Sequence, residues 1–147
     1  MATELSASCS VIEECYEFML GYAGQGLPAE AGRDGQVRDY LTRAAQALAG
    51  LEDVYAAVVR QRALAPAGRY AAFQAVLARD ARDSLAAVEL VLAQPAIGSQ
   101  LIDNLNASIH LRALLTDLFL IDEILKIRSR ESSIVLNSPA PSSSSAG

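Results

Sequence analysis

From Val37 to Val58 the residues Val37, Leu41, Ala44, Leu48, Leu51, Tyr55 and Val58 recur four and three apart without a slip. That alternation keeps one stripe of a helix turned towards its neighbours, whereas a strand would repeat every second residue. A helix from about Gln36 to Ala63 follows. At 1.5 Å per residue it is roughly 40 Å long, and a helix of that length needs packing partners of similar length.

The rest of the chain supplies candidates. Val11, Ile12, Cys15, Phe18, Met19 and Tyr22 fall on one stripe of a first helix. Ser10-Val11-Ile12-Glu13 has the form of a capping box, so this helix is expected to begin near Ser8 or Ser10 and to end at Gly24 and Gly26. The glycine-rich run 24–35 reads as a loop. After the connection Leu64–Arg69, a third helix is expected from Pro66 or Arg69 to Ala93. Its inward stripe is Tyr70, Phe73, Leu77, Ala81, Ser84, Val88 and Leu92. Gln94-Pro95 stops it. A fourth helix should start near Gly98 or Ser99 and continue to about Arg128.

Hydrophobic residues make up 52% of the 147 and charged residues 20%, a balance that favours a folded core over disorder. Ala and Leu dominate, and long β-branched alternating runs are missing. The fold expected is all-α: an up-down-up-down four-helix bundle over residues 1–128 with a short first helix. Residues 129–147, rich in Ser and Pro, are expected to form a flexible, disordered tail. A first helix of about 15 residues would cover only about half of the groove between its neighbours. The uncovered half is the hint of a partner: a homo-oligomer, or a helix from another protein.

The fourth helix carries SIHLRALLTDLFLIDEILKI, Ser108 to Ile127. A membrane span is excluded by Arg112, Asp117, Asp122 and Glu123 within it. Read as one helix, it has apolar seams on several sides. Leu111, Leu114, Leu118, Ile121 and Leu125 form the first. Ile102, Ile109, Ala113, Leu120, Ile124 and Ile127 form the second. Leu101, Leu105, Leu115 and Phe119 form a thinner third, which makes them the interface candidates. A helix apolar on most sides needs neighbours on most sides.

Between the first two seams Asp103, Asn106, His110 and Asp117 share one line. Carboxyl and imidazole groups on an apolar face must be paired or hydrogen-bonded. The line therefore reads first as a structural polar network and second as a small-molecule or metal pocket. The arrangement places His110, the only histidine, on the apolar face.

Other chemistry finds little support. The net charge is −5 and the single lysine is Lys126, so no basic surface for nucleic acid is expected. One histidine cannot furnish the two Glu-x-x-His pairs of a di-metal carboxylate bundle, and no zinc-ligand spacing occurs. Phosphate-cradling glycine loops are missing as well. No catalytic residue, metal or cofactor is assigned.

Cys9 and Cys15, six residues apart on one helix, lie roughly 9 Å apart along its axis, too far for a disulfide. Two free thiols and the lack of a signal-peptide pattern fit the cytoplasm. Cys9, near the expected helix start, is the one thiol whose acidity could be raised there, which leaves room for redox-responsive behaviour. The function expected is that of a non-enzymatic interaction protein (an adaptor, chaperone or assembly factor). It would oligomerise or bind a partner helix through apolar helix faces. The alternative is a ligand- or metal-binding bundle using Asp103, Asn106, His110 and Asp117.

Overall fold

The computed structural model describes residues 2–137, with side chains placed for residues 4–131. Five helices and no strand occur among the described residues: α1 Ala2–Gly24, α2 Gly35–Gln61, α3 Ala67–Leu92, α4 Ser99–Asn106 and α5 Ile109–Asn137. None is long and apolar enough to cross a membrane.

The α2 seam does what its spacing demands. All seven of its residues are buried, with Val37, Leu41 and Leu51 wholly enclosed. Each large side chain removed from water in this way contributes roughly 1.5–3 kcal/mol. α1 packs against α2 and α4, and α3 against α2 and α5, so one continuous core runs between them.

The first helix is not short. α1 has 23 residues, close to the 27 of α2 and 26 of α3. Ser10 and Glu13 lie in its interior rather than at its start, because Leu5 is buried in the core and extends the stripe of Ile12, Cys15, Met19 and Tyr22 by two turns. Burial of an extra apolar residue outweighs a capping preference worth about 1 kcal/mol. The half-covered groove expected from a short first helix therefore does not exist.

The fourth helix is not single. α4 ends at Asn106, Ala107 caps it, and α5 starts at Ile109. Ser108 occupies the position before α5 and its carbonyl accepts from the Arg112 N–H at 3.4 Å. Serine favours that position because its side chain competes with the helical backbone for hydrogen bonds. At the far end α5 runs past Arg128 to Asn137, so residues 129–137 are helical rather than tail. The remainder of the expected tail lies outside the described residues.

The loop after α1 is stitched to the junction between α3 and α4. Tyr22 Oη donates to the Ile97 carbonyl at 2.6 Å, and Ser99 Oγ donates to the Tyr22 carbonyl at 2.6 Å. The Leu27 N–H donates to Ser99 Oγ at 2.7 Å, and the Ser99 N–H donates to the Leu27 carbonyl at 2.9 Å. Gly98 allows the approach: a Cβ there would lie 2.8 Å from the Ala29 nitrogen. Buried Asp34 accepts from the Ile97 N–H at 2.8 Å and pairs with Arg38 at 3.1 Å. The Arg38 hydrogen bond holds the Asp34 carboxyl below its ordinary range. The same guanidinium also donates to the carbonyls of Leu92 and Gln94.

Candidate functional site

The four residues of the expected polar line do not share a line. Asp103 and Asn106 lie on α4, His110 and Asp117 on α5, and the break at Ala107–Ser108 removes the common register. Asn106 and Asp117 are buried, whereas Asp103 and His110 are exposed. His110 therefore does not sit on a buried apolar face. Its Nδ1 lies 3.7 Å from Asp83 Oδ2 of α3, with both side chains close to half exposed. A pair of that kind, at the surface, contributes at most about 1 kcal/mol.

Asp117 is the unusual member. Burial, then the hydrogen bond and charge of Asp80 on α3, push its carboxyl up to about 7. The Asp80 carboxylate beside it disfavours a second negative charge, which adds to the cost of ionising Asp117 out of water. Asp117 Oδ2 has no hydrogen-bond partner, and neither do buried Ser84 Oγ or the two Asn106 amide atoms. Asp80 and Asp83 escape a reading along the sequence. Their signal is the run Arg79-Asp80-Ala81-Arg82-Asp83, which looks like an ordinary solvated face until α5 is laid across it. Among the described residues, no three His, Cys, Asp or Glu side chains converge as a metal-ligand set.

The interface candidates are also dispersed. Leu105 is buried. Leu101 lines an apolar groove of about 670 Å³ with Leu27, Leu90 and Pro95 at the stitched end. Leu115 and Phe119 line a second groove with Tyr16, Glu17 and Arg112, between α1 and α5. These four residues therefore do not form one surface.

A different surface stands out on α5. Ile109, Ala113, Leu120, Ile124 and Ile127 make up the second apolar seam, read together with Ile102. Ile102 is fully buried on α4, but Ile109 is 74% exposed, Leu120 50% and Ile127 44%. Ala113 and Ile124 are half-buried. The first seam (Leu111, Leu114, Leu118, Ile121, Leu125) fills the core, so α5 has one apolar face inside and a second outside. Beside the outer face lies a groove of about 250 Å³, in which Leu120 and Ile124 meet Pro66, Tyr70 and Phe73.

The thiols are poor nucleophiles. Burial, with Glu13 and Asp122 nearby, pushes Cys9 up to about 11, and burial pushes Cys15 up to about 12. Because α1 begins at Ala2, Cys9 sits two turns inside the helix, away from the terminus that would acidify it.

Comparisons of the chain with protein-family models, curated proteins and solved structures gave no match.

Proposed function

We propose that this chain is a non-enzymatic interaction protein, in the manner of an adaptor, chaperone or assembly factor of the cytoplasm. It is built as an up-down-up-down four-helix bundle whose fourth wall is α4 and α5 together. Its contact surface is the outer apolar face of α5. One observation carries the reading: Ile109, Leu120 and Ile127 are exposed at helical spacing, on a helix whose opposite face already fills the core. A row of large apolar side chains in water is costly, and such patches mark association surfaces more often than chance placement. Two free cysteines agree with a reducing compartment.

The alternative, a ligand or metal site built from Asp103, Asn106, His110 and Asp117, draws less support, because two of the four face solvent.

A photo-reactive amino acid at position 120 tests the reading in the cell, with position 86 on the exposed side of α3 as control. Discrete protein adducts from 120 and none from 86 are expected. Equal labelling from both positions, or none from either, would remove the assignment.

A further inference from the structure

The outer face of α5 is self-complementary, and we infer that its partner is a second copy of the same chain, packed antiparallel. This rests on the reading of that face as a contact surface and names what covers it.

Ile109 and Ile127 stand nine residues either side of Leu118. A two-fold axis at the level of Leu118 sets Ile109 of one copy against Ile127 of the other, and Leu120 against Thr116. The paired length is about 27 Å, five turns of helix. This symmetry is the commonest one for soluble oligomers, and it demands a patch that complements itself.

The charges beside the face meet that demand. At 100° per residue Arg112 and Glu123 fall on the same edge of the face. Asp117, Ile121 and Arg128 fall on the other edge. In an antiparallel two-fold pair each edge meets its own copy. Arg112 lies six residues before the axis and Glu123 five after it. Each guanidinium thus comes level with the other copy's Glu123 to within one residue, about 1.5 Å along the axis. The contact is made twice.

Neither group is held in a close pair within its own chain, although Glu123 feels the charge of Lys126 three residues on. Neither Arg112 nor Glu123 takes part in an ion pair among the described residues. Lying eleven positions apart, they are roughly 16 Å from each other along α5, which rules out a bond within one chain. Phe119, 56% exposed, sits on the same edge one residue from the axis, so the two rings close the middle of the contact.

A parallel pairing would bring unlike edges together. It would press the Arg112 edge of one copy against the edge of the other where Asp117 and Ile121 are buried. The antiparallel arrangement instead sets the exposed Arg112 edges of the two copies against each other, and turns the two Asp117 edges, each packed against α3 of its own copy, towards one another.

Sedimentation equilibrium of the full chain, with circular dichroism to confirm that each variant is folded, decides the matter. A monomer–dimer equilibrium is expected. Arg112→Glu and Glu123→Arg should each weaken it about tenfold or more, since each breaks two pairs and opposes like charges. The double variant R112E/E123R should recover most of the loss. That recovery is possible only if the two positions meet between chains. Leu120→Asp should abolish the dimer. A chain that stays monomeric at every concentration overturns the inference, as does a dimer indifferent to these substitutions. A monomer that still gives discrete adducts with another protein from position 120 would refute self-pairing alone and leave the contact-surface reading intact.

Discussion

Helices α2 and α5 carry apolar residues at the same spacing, and the structure treats them in opposite ways. Every seam residue of α2, from Val37 to Val58, is buried. On α5 the seam running through Leu114 and Leu118 is equally enclosed, while the neighbouring one, through Ile109 and Leu120, looks outward. Periodicity shows that a face seeks burial. It does not show whether the chain itself provides the cover. α2 has α1 on one side and α3 on the other. α5 is covered mainly by α3, and its contact with α1 is thin.

The strongest way to break this comparison is to truncate equivalent residues on the two helices. Leu51→Ala, at a fully enclosed position of α2, should cost about 3 kcal/mol in chemical denaturation, from lost transfer energy and the cavity left behind. If that loss were only a few tenths, the α2 seam would not be the centre of the core.

A second test concerns the inner edge of α5, where Asp117 meets Asp80. Asp117 has a folded pKa of about 7, above its unfolded value. The folded chain therefore binds more protons than the unfolded chain between about pH 4 and 7. The stabilising contribution is complete below the lower end of that window and is lost as pH rises through about 7. Asp117→Asn removes the repulsion and keeps a donor for Asp80. It should raise stability by about 1–2 kcal/mol at pH 8 and have little effect near pH 5. A variant whose stability parallels the parent across that range would show that the two carboxyls are not coupled.

The smallest effect is expected outside. Leu120→Ser, measured on dilute protein, should change stability by less than about 0.5 kcal/mol, because the side chain is already half in water. A loss rivalling that of Leu51→Ala would mean that the outer face of α5 is covered even in the single chain.

The all-helical character of the chain and the limits of α2 and α3 were legible to within two or three residues. Unbroken seams and Gly/Pro punctuation such as Pro66 and Pro95 announce themselves locally. The start of α1 was not legible. Ser10 and Glu13 form a convincing local signal, and only the burial of Leu5 by distant parts of the chain overrides it. The division of α4 from α5 was missed for a related reason: Asn106-Ala107-Ser108 contains neither glycine nor proline, and Ser108 alone hints at a new beginning. Read as one helix through that break, His110 falls on the same line as buried Asn106 and Asp117, whereas α5 leaves it exposed; the seam from Leu111 to Leu125 is unaffected and fills the core. Of the candidate polar residues, Asn106 and Asp117 are buried as expected. Asp80 was invisible, since nothing in one helix states which residue of another will lie across from it.

The hydrogen bonds at the stitched end join residues 54 to 77 apart in sequence. Closing a loop of 72 residues, as the Leu27–Ser99 bond does, costs about 4 kcal/mol of chain entropy by the usual logarithmic scaling. Such a closure cannot form early or alone. It has to come after α2 and α3 have folded back on each other and brought the two junctions together. Once made, it leaves α1 and α4 no independent route out of the structure, so the connections at that end melt with the core rather than before it.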